Sequence, residues 1–360
     1  MLAAWLLAIL SAFFVHPDKK YIEYLDLRSL GILWSLMVVI QGLKQNSVFE
    51  KIGTGLLGRV KKGWQLSAVL VFLCFFAAML ITNDVALITF VPFALLMLHN
   101  SNREDLMIPV VVLQTVAANL GSMLTPVGNP QNLYLFQVTG MGIAEFMSCT
   151  GPYAALTALL LMVSLLLLPG KQKPLELKER MGTVRHFGSR HQIVIYGILF
   201  GLALLTVLRI LPVYMLAAAV FLVVLIMDPQ ILLRADYVLL LTFLGFFVFT
   251  GNMGRMEPVR LFLQNIMEGR EMATAILSSQ CISNVPAALL LSGFTTDYKP
   301  LLVGVNLGGL GTLIASMASL ISYKAYAAAY PQQKGRYLAV FTVINLLYLG
   351  ILWLFAVLLW

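Results

Sequence analysis

The stretch "ISNVPA", Ile282–Ala287, breaks an apolar run with two polar residues, Ser283 and Asn284, and a helix breaker, Pro286. A counterpart lies in the first half of the chain. It reads "ITNDVA", Ile81–Ala86, and puts Thr82, Asn83 and Asp84 at the centre of another apolar hairpin. Each hairpin follows a polar, amphipathic segment, Lys44–Lys62 in one case and Gly254–Arg270 in the other. Each is followed in turn by a glycine-rich, interrupted span: "ANLGSMLTPVGNPQNL" (Ala118–Leu133) and "VNLGGLGTLIASMASL" (Val305–Leu320). Aligned without gaps, Asn119-Leu120-Gly121 falls on Asn306-Leu307-Gly308, Thr125 on Thr312 and Asn132 on Ser319. Leucine matches carry no weight in so apolar a chain. Asn, Gly and Thr at equal offsets point to an internal duplication.

Composition sets the class. Hydrophobic residues fill 60% of 360 positions and charged residues only 11%, with a mean hydropathy of +0.90. Soluble domains carry roughly 25% charge. Apolar runs recur at Met1–Val15, Ser29–Leu43, Leu66–Ile81, Tyr153–Leu168, Ile193–Leu208, Val213–Met227, Tyr237–Thr250 and Tyr337–Trp360. Each approaches the length that crosses ~30 Å of hydrocarbon as a helix. The expectation is an all-α polytopic membrane protein with the lipid bilayer as its surroundings. A net charge of +8 then marks cytoplasmic loops rather than a nucleic-acid partner. Cys74, Cys149 and Cys281 are scattered, and the four histidines fall in loops, so neither a disulfide framework nor a zinc cluster is expected. Met1–Val15 lacks the basic start and cleavage site of a signal peptide and reads as a span.

The basic stretch Gly170–His191 divides the chain near its midpoint. Residues 1–169 form the first repeat, with a hairpin at about 64–98 and a broken helix at about 106–139. Residues 192–360 form the second, with a hairpin at about 271–296 and a broken helix at about 300–322. At 1.5 Å per residue the arms of the second hairpin cover roughly 17 Å each, too short to cross, so that hairpin re-enters on one side. The leading arm of the first hairpin is longer, but either arrangement leaves the crossing count even. An odd number of crossings separates equivalent spans, which inverts the second repeat relative to the first. Placing the linker inside puts sixteen of the 24 Lys and Arg in cytoplasmic loops. The N-terminus is then cytoplasmic and the C-terminus external, with about nine spans plus two hairpins and one leading helix fewer in the first half.

Inverted hairpins and broken spans bring non-helical backbone to the membrane midplane, where it is tolerated only if buried in protein or lining a cavity. Half-helix N-termini there attract anions, and unwound carbonyls ligate cations. Helix capping alone would also select Ser, Thr, Asn and Asp at the tips, and the two roles are compatible. Close packing through small residues suits "GGLGT". It suits "TPVGNPQN" poorly, because Asn129, Gln131 and Asn132 would need partners in lipid. The candidate binding residues are therefore Thr82, Asn83, Asp84, Thr125, Gly128, Asn129, Asn132, Ser283, Asn284, Thr312, Ser316 and Ser319. Ionisable groups at membrane depth are costly and commonly functional, so Asp84 is a candidate proton or sodium site. A sodium ion is expected near Asn83, Asp84 and Asn284.

The order of hairpin tip, broken span, linker, hairpin tip and broken span resembles the ion transporter superfamily over nearly the whole chain. That group includes citrate and other divalent-anion/sodium symporters and arsenite permeases. Its Ser-Asn-Thr-like tips contact substrate carboxylates and help frame sodium sites. Ser283-Asn284-Val285 matches two of those three positions. Thr82-Asn83-Asp84 departs further, and its Asn-Asp pair looks more like the arsenite-permease branch. The resemblance implies an elevator motion of hairpins and broken spans, usually within a homodimer, with the amphipathic segments as connecting arms.

The function expected is cation-coupled secondary transport of a small inorganic or carboxylate anion in the plasma membrane of a prokaryote, driven by Na+ or H+ and needing no other cofactor. The alternative in the same fold is proton-coupled arsenite-like efflux or sodium/proton antiport with Asp84 as the titrating group. An enzyme would need a nucleophile with its base, a metal cluster or paired carboxylates at membrane depth, and the sequence offers none. It has no nucleotide-binding loop either.

Overall fold

The computed structural model describes residues 1–57, 60–169 and 188–359, and every regular element among them is helical. Helices satisfy the backbone internally, which a chain this apolar requires in lipid. Most of the expected basic linker, residues 170–187, lies outside the described residues.

Seventeen helices carry the architecture. The first half runs α1 (Leu2–Phe14), α2 (Leu27–Gln45), α3 (Val48–Leu57), α4 (Gly63–Ile81), α5 (Asn83–Asn100), α6 (Met107–Gly121), α7 (Pro130–Thr139) and α8 (Ile143–Leu167). The second runs α9 (Arg190–Val207), α10 (Val213–Met227), α11 (Tyr237–Arg255), α12 (Glu257–Met267), α13 (Glu271–Ile282), α14 (Asn284–Leu291), α15 (Tyr298–Leu307), α16 (Met317–Ala329) and α17 (Lys334–Leu359). The helical hairpins run over Gly63–Asn100 and Glu271–Leu291, the helices are interrupted at residues 122–129 and 308–316, and α3 and α12 precede the hairpins.

Eight described helical segments are long and apolar enough to span a membrane. They differ in membership from the nine expected spans. Both arms of the first hairpin qualify, at 19 and 18 residues, or roughly 28 Å each. The arms of the second hairpin, 12 and 8 residues, do not. Nor do α1 and α10, at 13 and 15 residues. Helix α8 starts ten residues before the apolar run at Tyr153 because its polar residues bond within the helix. Thr150 Oγ1 donates to Phe146 O at 3.0 Å and Ser148 Oγ to Glu145 O at 2.8 Å. The same device carries α16 past residue 322, where Ser322 Oγ donates to Ala318 O at 3.3 Å.

Packing groups the helices. The first hairpin, α4 and α5, lies on α6, and the second, α13 and α14, lies on α15. The halves then interlock, since α16 packs on α5 and α6 while α14 packs on α7. Helix α2 packs against α9 and α10, and α1 against α11. We refer to α1, α2, α9, α10 and α11 as the scaffold. Two scaffold helices start alike: Asp26 accepts the Ser29 amide at 3.0 Å and Asp236 the Leu239 amide at 2.9 Å, each an aspartate N-cap. Beyond the end of α1, Asp18 pairs with Arg255 of α11 at 2.9 Å. That guanidinium holds the Asp18 carboxyl below the usual carboxylate range.

Candidate functional site

The hairpin tips share one backbone shape. Thr82 has φ +70° and ψ +149°, and Ser283 has φ +73° and ψ +155°. Only glycine adopts this region readily, and a β-branched residue at positive φ is an outlier. Both residues occupy the N-cap position of the returning helix, yet neither side chain makes a capping hydrogen bond. The following asparagines take over that role. Asn83 Oδ1 accepts the Asp84 amide and Asn284 Oδ1 accepts the Val285 amide, both at 3.0 Å.

What holds the tips in this shape is the broken span beside each. The Asn83 amide donates to Gly128 O at 3.0 Å, and the Asn284 amide donates to Ala315 O at 2.9 Å. Gly128 and Ala315 stand at the same offset as Asn119 and Asn306 in the ungapped alignment, so the two contacts correspond. The polar tip residues therefore serve two purposes in the backbone. They end one helix, and they bond to the interruption of another.

Each interruption has its own local cause. In the first, α6 runs into the 3-10 turn Ser122–Leu124, and Pro130 at the start of α7 forbids continuation. Asn129 caps α7 by accepting the Asn132 amide at 2.9 Å. In the second, Gly308, Gly309 and Gly311 weaken the helix, and Gln280 of the hairpin braces the gap. Its Nε2 donates to Gly308 O at 3.0 Å and Leu310 O at 2.9 Å, while its Oε1 accepts the Thr312 amide at 2.9 Å.

Between the interruptions the halves exchange hydrogen bonds. Asn119 Oδ1 accepts from Ser316 Oγ at 3.0 Å and from Asn83 Nδ2 at 3.2 Å, and Asn119 Nδ2 donates to Ser319 Oγ at 3.3 Å. Asn306 reciprocates: its Oδ1 accepts from Asn129 Nδ2 at 3.0 Å, and its Nδ2 donates to Asn132 Oδ1 at 2.7 Å. All of these side chains are buried. Buried amides and hydroxyls need such partners, which explains why so apolar a chain keeps asparagine here.

Two cavities open beside this network. One of ≈ 190 Å³ is bounded by Thr82, Asp84 and Asn129 on the hairpin side. Its other wall includes Leu33, Met37 and Gln41 of α2 together with Arg234 and Asp236. The other, of ≈ 350 Å³, brings Ser283, Ser316 and Pro286 together with Asp84 and Asp236. Asp84 and Asp236 line both. Three larger cavities, two of ≈ 720 Å³ and one of ≈ 380 Å³, lie elsewhere and contain none of the predicted residues.

The twelve predicted residues thus fall into groups. Thr82, Asp84, Asn129, Ser283 and Ser316 face the cavities. Asn83, Asn132, Asn284 and Ser319 are buried in or beside the hydrogen-bond network. Gly128 supplies the carbonyl under the first tip. Thr125 donates its hydroxyl to Met79 O at 2.5 Å and braces the first hairpin. Thr312 is exposed and lines neither cavity. No group of three or more His, Cys, Asp or Glu that could hold a metal occurs among the described residues. Sequence reading passed over Arg234, Asp236 and Gln280, and it used Asn119 and Asn306 only as markers of duplication. Asp236 did leave a signal, an aspartate just before an apolar helix.

Residues 1–297 match the citrate transporter family, CitMHS. The chain belongs to that family. Its resemblance to the ion transporter superfamily holds across the relatives as well. An uncharacterized transporter of Methanocaldococcus jannaschii is 31% identical over 349 residues, 96% of this chain and 93% of that protein. The inner membrane protein YbiR of Escherichia coli is 28% identical over 325 residues, covering 88% of this chain and 84% of its own. A silicon efflux transporter of Oryza sativa is 33% identical over 121 residues, 34% of this chain and 24% of that protein. This chain is accordingly a multi-pass membrane transporter.

Proposed function

We propose that this transporter is a secondary active carrier that moves a carboxylate or oxyanion, coupled to a sodium or proton gradient. The carrying observation is the pair of strained hairpin tips, each hydrogen-bonded to a broken span and each reaching a cavity. Backbone held in a rare conformation by its surroundings is a recurring mark of ligand sites. Half-helices that begin at Asn129–Pro130 and at Ser316 present their positive dipole ends to an anion. The hairpins and broken spans would move as one body against the scaffold, in an elevator manner and within a homodimer. The ≈ 190 Å³ cavity lies along that boundary. The N-terminus would face the cytoplasm and the C-terminus the outside of a prokaryotic plasma membrane. Purified protein in proteoliposomes, given citrate, succinate, phosphate and arsenate under imposed sodium or proton gradients, tests this directly. Gradient-driven uptake of at least one anion is expected, and no driven flux of any would sink the proposal.

A second reading is efflux of an arsenite-like solute or sodium/proton exchange, driven through Asp84. It is favoured by the placement of Asp84 in both cavities beside Asp236, and by the efflux named in the plant relative. Asp84→Asn should then abolish pH-dependent transport. Unchanged coupling in that variant would remove this reading.

A further inference from the structure

Three charged side chains line the ≈ 190 Å³ cavity: Asp84 on the hairpin side, with Arg234 and Asp236 just ahead of scaffold helix α11. Arg234 is the sole cation of that lining. Its Nη1 donates to Gln45 Oε1 at 2.5 Å, and Gln45 Nε2 donates onward to Asp228 Oδ2 at 2.8 Å. The guanidinium is therefore tethered to the end of α2 by a neutral amide. Among the described residues no carboxylate stands within ion-pairing distance of it. The nearby Asp236 is committed to capping α11 through the Leu239 amide at 2.9 Å.

We propose that Arg234 is the scaffold's anion-binding residue, presenting its guanidinium to a carboxylate or oxyanion held between the first hairpin tip and α2. The inference rests on the anion-transport function proposed above and adds a residue from outside the tips and broken spans. Arginine suits the task because its planar fork pairs two-to-two with carboxylate and oxyanion oxygens. A guanidinium held by an amide keeps its remaining N–H groups free for a ligand, whereas one locked to a carboxylate would not. The lining also balances charge in a useful way. Two carboxylates oppose one guanidinium while Asp84 is ionised, so an anion is held best once a coupling cation neutralises Asp84.

Thermal-shift titration of detergent-purified protein with citrate, succinate and inorganic phosphate tests the assignment, on wild type, R234Q, R234K and Q45L. At least one of the three anions should stabilise wild type. R234Q should weaken that binding roughly tenfold or more, as expected for loss of a charge-assisted pair. R234K should fall between R234Q and wild type, because the charge remains and the fork is lost. Q45L, which removes the tether but keeps the cation, should bind better than R234Q. Wild-type affinity in R234Q would overturn the inference while leaving the proposed function standing. Absence of binding by wild type to all three anions would overturn both. If R234Q does not fold, R234K decides: weakened binding supports the assignment and unchanged binding refutes it.

Discussion

Asn306 Nδ2 donates to Asn132 Oδ1 at 2.7 Å across a sequence separation of 174 residues. The equivalent contact in the opposite direction joins Asn119 Nδ2 to Ser319 Oγ at 3.3 Å. Each half thus supplies the asparagine that satisfies the other's interruption. The two broken spans depend on one another for their buried polar partners.

Replacing Asn306 with leucine should therefore unsettle both halves. The change strands the buried Asn132 Oδ1, at a cost on the order of 1–3 kcal/mol, and leaves Asn129 Nδ2 with only its bond to Ser122 Oγ at 3.0 Å. A fall of several degrees in melting temperature is expected by thermal shift in detergent. Asn306→Asp, which turns an ionisable oxygen toward Asn132 Oδ1 and Leu302 O in a buried setting, should cost at least as much. Equal stability of Asn306→Leu and wild type would mean that the network is not structural.

Gly128 and Ala315 occupy equivalent places under the two tips but tolerate different side chains. A Cβ added at Gly128 would run into the Ser122 carbonyl, and backbone cannot yield as a flexible side chain can. Gly128→Ala should cost about 1–3 kcal/mol and impair uptake by displacing the carbonyl that holds Asn83. Ala315→Gly removes one methyl and should leave the second tip in place. Comparing the two by melting temperature and by proteoliposome uptake separates local crowding from general fragility.

Strain at the tips makes an opposite prediction. Glycine accepts φ near +70°, so Thr82→Gly and Ser283→Gly should each relieve strain of about 1 kcal/mol and raise the melting temperature slightly. If the hydroxyls serve transport, uptake should fall in the same variants. A protein that is more stable but less active would mark these positions as functional. Lower stability in both variants would contradict the strain reading.

The sequence made some of this legible for identifiable reasons. The tips, the breaks and the amphipathic connectors could be found because polar residues, Gly and Pro are rare in this chain, and their recurrence at matched offsets stands out. Lipid exposure enforces that contrast. Asn119 and Asn306 were visible as a matched pair, but nothing in the linear order says that each bonds into the opposite half. Thr125 and Thr312 show the reverse. They share an offset, yet one hydroxyl braces a hairpin at Met79 while the other residue is exposed. Gln280 escaped notice because a single glutamine beside a hairpin tip has no periodicity to betray it.

Class and the places where helices stop therefore belong to the sequence alone: apolar run lengths specify membrane helices, and two sets of breakers specify where those helices end. Which side chains meet was decided only in three dimensions. Arg234 reads in sequence as one loop charge among many, and Asp236 as a helix cap. Folding brings both to the cavity that holds Asp84, which is walled by the first hairpin tip on one side and by α2 and the start of α11 on the other. Burial in an apolar surrounding makes polar groups seek partners wherever the fold offers them, and for this chain those partners lie across the halves.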